Sequence, residues 1–219
     1  MNIEQADKFF STLNNPKLIK RYTNYWESIK PVTIDDFFRR YLFAFTSVHS
    51  TWQSNLRGYL ALRGLEWVNN KENLISRLVW AKCGMYRNRT QNIWAFKEKF
   101  YDSPEFFCEI QADWRTHRNN LVKVIDGLGI TKVSFALEMC FPKEALVSCI
   151  DTHGLKLYEF ENSSFTTKKG LLEYEDAEDH WIDASVECGC SPTVARAIYW
   201  DKKQKQKSSR YWTYVLEEK

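Results

Sequence analysis

Only 8 glycines and 5 prolines punctuate 219 residues, and that scarcity constrains the fold more than any other feature of the sequence. A many-stranded sandwich needs a turn every eight to twelve residues or so, and glycine and proline supply the backbone angles of such turns. A chain with so few is expected to be mostly helix, and the sequence reads as all-α. Hydrophobic residues make up 44% and charged ones 27%, the balance of one compact domain or two small lobes sharing a core, which excludes disorder. The 31 basic and 28 acidic side chains leave only +3, so any anion-binding face must be local. Nucleic acid is permitted by this balance but not demanded. The 14 Phe, 11 Tyr and 9 Trp build core or stack on bases, and their number alone leaves both open.

No apolar run approaches the roughly 18 residues of a membrane span, and the opening MNIEQADKFF is acidic and amphipathic rather than a signal sequence. A soluble, intracellular protein with no membrane partner is therefore expected. Of the cysteines 83, 108, 140, 149, 188 and 190, only Cys188 and Cys190 are close, too tight for a zinc-binding Cys-x-x-Cys. All six are expected to be reduced and structural, and no metal site is expected.

Pro31 separates an amphipathic opening segment from a second one whose start is marked by Thr33 followed by Asp35 and Asp36. From there Phe37, Tyr41, Leu42, Phe45 and Val48 recur at helical steps and form one stripe. Similar stripes run over 56–65, 74–81, 93–100 and 106–114, and five or six short helices in a row make an all-α bundle. In the stretch from Leu121 to His153, two apolar helical segments flank Gly127-Leu128-Gly129. A turn that tight, opening a helix N-terminus, presents outward-pointing amides to a phosphate. An ordinary glycine-assisted helix connection is the alternative.

Three segments carry a more specific resemblance. Gly127-Leu128-Gly129-Ile130-Thr131-Lys132-Val133-Ser134, an apolar helix, and then Cys149-Ile150-Asp151-Thr152-His153 resemble the helix-hairpin-helix and downstream aspartate of the endonuclease III-like (HhH-GPD) DNA glycosylases. Gly84-Met85-Tyr86-Arg87-Asn88-Arg89-Thr90-Gln91-Asn92-Ile93 resembles that family's Gly-hydrophobic-Tyr turn, and Ser47-Val48-His49-Ser50-Thr51 its Ser-Ala-Gln-Ala-Thr segment. They occur in the family's order and span roughly residues 35–158.

The resemblance implies a helical barrel lobe over 33–153 with the hairpin at 118–141, a second helical lobe from 1–32 and 154–219, and a groove for double-stranded DNA between them. It implies a monomer. Asp151 takes the place of the catalytic carboxylate, which stabilises the oxocarbenium character of a breaking N-glycosidic bond and is also placed to activate water in that family. Asp151 also reads as a helix N-cap, and both readings can hold. Gly127, Gly129, Ile130, Thr131 and Lys132 would meet the DNA backbone at the hairpin. Bifunctional members carry a lysine two residues after the second glycine, where this chain has Thr131. Lys132 lies one residue on, about 100° around a helix. A bulged hairpin would restore it, and the spacing to Asp151 fits either register; we read the chain as lacking the lyase lysine, with Lys132 solvated or on a phosphate.

His49 stands where a polar residue fills the hole left by a flipped nucleotide, its alternative being a histidine satisfied at a helix end. Trp52, one turn on, reads as a pocket or wedge residue, or as core. Arg87 and Arg89 are candidate phosphate contacts. The stretch Arg196 to Arg210, with Tyr199, Trp200, Tyr211 and Trp212, mixes cations and rings as nucleic-acid surfaces do, or equally forms a solvated basic tail packed through its aromatics. An iron–sulfur loop needs four closely spaced C-terminal cysteines where two exist, so no cluster and no other cofactor is expected, with a monovalent cation at the hairpin allowed.

The activity so implied is a monofunctional glycosylase of base excision repair that flips out a damaged, mismatched or modified base and hydrolyses its bond. Two alternatives stay open. Tyr25-Trp26-Glu27 and the run from Pro31 to Phe43 resemble, diffusely, phage glycosylase-like proteins of thymine hypermodification, which transfer a group to an activated thymine and keep the glycosidic bond. The other is a DNA-binding module without activity.

Overall fold

The structure, a computed structural model, describes residues 1–160, 165 and 167–204, which run through twelve α-helices and no strand. It divides into two compact units. The terminal unit holds residues 1–30, 112–115 and everything from Leu137 onward; the middle unit holds 31–111 and 116–136. Residues 137–153 thus go with the terminal unit, where the sequence reading drew the division after 153. The reason is the buried pairing, within that unit, of Glu138 and the 148–150 backbone described below.

The middle unit is organised by α3 (Ile34–Ser47). Thr33 and Asp36 close a capping box around its first turn: the Thr33 hydroxyl accepts from Asp36 N (3.2 Å) and the Asp36 carboxylate from Thr33 N (3.0 Å). Nearly every residue from Phe38 to Ser47 is buried, so α3 is the buried helix its apolar stripe leads one to expect, and the central one of this unit. Around it stand α4 (Trp52–Leu62), α5 (Lys71–Trp80), α6 (Tyr86–Asp102) and α7 (Glu105–Cys108). Phe38 stacks on Phe96 at 5.7 Å, and Tyr41 and Phe45 lie 5.0 and 5.3 Å from the same ring. Removing such a ring costs about 3–5 kcal/mol. Gly58 lets α4 approach α3, since a Cβ there would stand 3.0 Å from Cys83 Sγ and 3.2 Å from Thr46. The stripe expected over 106–114 is not one helix: α7 ends at Cys108, and Ile110 is exposed in the connection that follows.

The hairpin consists of α8 (Trp114–Val124), a five-residue turn, and α9 (Ile130–Cys140). Within the middle unit Arg118 Nη1 donates to Ser134 Oγ (3.1 Å), bracing one hairpin helix on the other.

The terminal unit is built from α1 (Glu4–Phe10), α2 (Pro16–Ser28), α10 (Thr152–Leu157), α11 (Lys168–Glu187) and α12 (Pro192–Gln204). Asn15 caps α2, accepting from Lys17 N and Leu18 N, with Pro16 at the first helical position. Phe9 of α1 stacks on Trp181 of α11 at 5.6 Å. The Tyr158 hydroxyl is hydrogen-bonded to His180 Nδ1 and His180 Nε2 to Asp7, each at 2.9 Å, which ties the start of the chain to α11. All six cysteines are free thiols, and among the described residues no helix is long and apolar enough to cross a membrane.

Candidate functional site

In the middle unit, the chain leaves α3 through Val48, His49 and Ser50 before Thr51 caps α4. His49 is exposed and sits in the left-handed region, φ +46°. A second irregular turn precedes α6, with Lys82 at φ +51° and Met85 at φ +56°. Left-handed backbone costs a non-glycine residue about 1–2 kcal/mol, so both turns need something to hold them. Arg89 does so. Its Nε donates to Gly84 O (2.7 Å), its Nη2 to Ser50 Oγ (2.9 Å), and its terminal nitrogens also donate to Phe45 O and Val48 O. The expectation that Arg89 meets phosphate is therefore corrected: the side chain is 5% exposed, its donors are directed at four acceptors of the protein, and burial pulls its pKa below the usual arginine value. Arg87, by contrast, is exposed, with its guanidinium 5.8 Å from the Tyr86 ring centre. Trp52 is half-buried with its ring against Phe43 (6.2 Å), a packing role. Met85 is 52% exposed at the tip of its turn, a large apolar side chain that the sequence reading passed over.

The hairpin turn lies against α6. Gly127 has φ +86°, and a Cβ there would fall 2.0 Å from Asn92 Nδ2, so both its angle and its space require glycine. Lys99 Nζ donates to Val124 O (2.8 Å) from the same helix. Gly129 needs no such allowance: a Cβ there meets nothing within 4 Å. Its carbonyl accepts from Lys132 N and Val133 N, and the amides of Ile130 and Thr131 begin α9, where no intrahelical acceptor exists. Ile130 is buried, Thr131 half-buried, and Lys132 places its ammonium 5.3 Å from the Phe135 ring centre.

Asp151 lies in the terminal unit and is the N-cap of α10: its Oδ1 accepts from His153 N (2.9 Å) and Gly154 N (3.3 Å). The residues before it form a buried segment without regular structure, and side chains grip its backbone. Ser148 N donates to Glu178 (2.8 Å), Cys149 N to Glu138 (3.1 Å) and Ile150 N to the Tyr174 hydroxyl (3.3 Å), which itself donates to Ser148 O (2.5 Å). Two fully buried carboxylates would be costly without partners. Glu138 receives Arg196 Nε at 2.5 Å, and Glu178 has Arg115 at 3.9 Å. Arg196, the first cation of the stretch that reads either as a nucleic-acid surface or as a basic tail packed through its aromatics, is buried in this pair. Tyr199 is buried as well; residues 205–210, Tyr211 and Trp212 lie outside the described residues. Beside Asp151 is a void of about 10 Å³, edged by Trp181, Arg196, Tyr199 and Trp200, room for a water rather than a base. Burial first, and the Asp151 charge second, push the Tyr199 hydroxyl up to about 12.

Glu138, Glu178 and Tyr174 escape sequence reasoning, although one signal was available. A glutamate in the apolar run from Val133 to Cys140 must find a partner once buried. Among the described residues, no group of three or more His, Cys, Asp or Glu side chains is arranged to hold a metal ion.

This order of helices is shared with solved structures of 8-oxoguanine DNA glycosylases. The 8-oxoguanine DNA glycosylase of Methanocaldococcus jannaschii superposes with a TM-score of 0.71 at 20% identity, over 91% of this chain and 94% of that one. The same organism's 8-oxoguanine glycosylase/lyase, solved with a 15-mer DNA containing 8-oxoguanine, gives 0.70 at 19%, over 91% and 97%. For the 8-oxoguanine DNA glycosylase of Thermotoga maritima the values are 0.68 and 16%, over 91% and 98%. No protein-family model and no curated protein sequence matches the chain.

Proposed function

We propose that the chain is a DNA glycosylase that binds double-stranded DNA, flips out a damaged, mismatched or modified base, and hydrolyses its N-glycosidic bond without a lyase step. The observation that carries the base-releasing part of this reading is a fold matched, over 91% of the chain, by a glycosylase/lyase solved on DNA containing 8-oxoguanine. Asp151 supplies the carboxylate. As the C1′–N bond breaks and the base departs with the electron pair, the Asp151 charge stabilises the developing cation; water adds to C1′ and gives up a proton to the carboxylate, and the departing base nitrogen takes up a proton from solvent. The segment gripped by Glu138, Glu178 and Tyr174 holds that carboxylate in place before substrate arrives. Phosphates are taken by the Ile130 and Thr131 amides, Lys132 and Arg87. His49 and Met85 enter the opened duplex, the imidazole meeting the unpaired partner base and the thioether wedging between stacked bases. With Thr131 at the lysine position, no Schiff base forms.

The test is incubation of the purified protein with duplexes carrying 8-oxoguanine, uracil, mismatched thymine or modified thymine, followed by mass spectrometry. Free base release supports hydrolysis. An altered nucleotide still joined to its sugar would favour group transfer, and binding without chemistry that survives Asp151→Asn would favour a DNA-binding module.

A further inference from the structure

We propose that Arg89 is a positioning residue: its buried guanidinium locks the His49 turn to the Gly84–Met85 turn, so that His49 and Met85 meet DNA as one preformed element. This rests on the DNA-directed reading above. The geometry behind it is a single planar fork bonded to two segments about forty residues apart in sequence. Phe45 O, Val48 O and Ser50 Oγ lie on one side, and Gly84 O on the other. None of these partners is a carboxylate, so the charge is met by carbonyl and hydroxyl dipoles, and each bond fixes a piece of backbone. Both segments carry a non-glycine residue at positive φ with an exposed side chain, and Arg89 bonds to both of His49's neighbours in sequence. Holding the fold together is a separate matter. Besides the Arg89 bond to Phe45 O, helices α3 and α6 meet through the rings of Phe38, Tyr41, Phe45 and Phe96, which pack on one another without Arg89. Lysine would keep the charge but not the fork, since a point ammonium cannot reach acceptors spread over two turns.

Arg89→Lys and Arg89→Met are compared with the wild type for cooperative melting, for amide hydrogen exchange over 48–51 and 83–86, and for binding to undamaged duplex and to the same duplex with an abasic-site analogue. Both variants should melt cooperatively, lose exchange protection in both segments, and lose about tenfold in preference for the abasic duplex, with binding to undamaged DNA changed less than about threefold. Restored preference with lysine, or preference and protection both kept with methionine, would overturn the proposal. Should either variant fail to fold, Ser50→Ala removes one acceptor of the fork, together with the hydroxyl's own donation to Val48 O (3.2 Å), and should cut the preference by about threefold, an unchanged preference counting against the lock. A wild type that does not prefer abasic DNA would instead remove the DNA-directed reading, and the exchange comparison would still decide whether Arg89 joins the two turns.

Discussion

Glu138 and Arg196 form a 2.5 Å ion pair in which the glutamate side chain has no exposed surface and the arginine side chain is 9% exposed. Burial raises the Glu138 pKa to about 7 even though Arg196 and the Cys149 amide pull it down, and the neighbouring charge of Asp151 adds to the rise. The residue that steadies the segment before Asp151 thus titrates close to neutrality.

That shift has a sign in stability. The ordinary value is 4.5 and the folded value about 7, so between those pH values the unfolded carboxyl has lost a proton that the folded one keeps. Stability from this group is full below about 4.5 and falls as pH rises to 7, by at most on the order of 3 kcal/mol. Melting temperatures of the wild type and Glu138→Gln, taken at pH 5 and pH 8, should differ more in favour of the wild type at pH 5. A difference independent of pH would show that Glu138 stays ionised throughout.

Asp151→Asn should fold and bind DNA as the wild type does, because asparagine caps a helix as well as aspartate, while turnover drops by orders of magnitude. Asp151→Ala should lose turnover too, and about 1 kcal/mol of stability with the cap. A folded Asn variant that still releases base would rule Asp151 out as the essential carboxylate.

Borohydride should trap no covalent adduct between the wild type and abasic DNA, whereas Thr131→Lys should create one, since it places an amine at the position of the family's nucleophile. An adduct in the wild type that disappears in Lys132→Ala would put Lys132 in that role.

At the hairpin the two glycines should behave differently. Gly127→Ala meets Asn92 and a left-handed backbone, and should cost at least 1–2 kcal/mol of stability by urea unfolding. Gly129→Asp has open space and should fold normally, yet weaken DNA binding and flatten its salt dependence by placing a negative charge at the phosphate site. Unchanged affinity in Gly129→Asp would take the hairpin out of the interface.

Much of this was legible in the chain because it is local. The Thr33 helix start, the hairpin turn and the Asp151 cap each depend on residues within a few positions of one another, and spacing reports them. The burial of Arg89 and Arg196 is not legible, for the opposite reason. A buried arginine and a surface one look alike in sequence, and what decides is an acceptor some 40 residues away for Arg89 and 58 for Arg196. The helix expected over 106–114 failed because apolar spacing continues through Ile110, which the fold leaves in solvent.

The left-handed turns at His49 and Met85 bear on how such a protein would respond to selection for heat resistance. Glycine at either position relieves backbone strain worth about 1 kcal/mol, so a screen that scores only melting temperature should collect His49→Gly and Met85→Gly. If the proposed reading holds, those winners would be the molecules that had surrendered the two side chains it sends into the duplex. Durability and grip on DNA would then be set against each other at these two positions, and a sturdier variant would have to find its gains elsewhere, among the aromatic rings around Phe96.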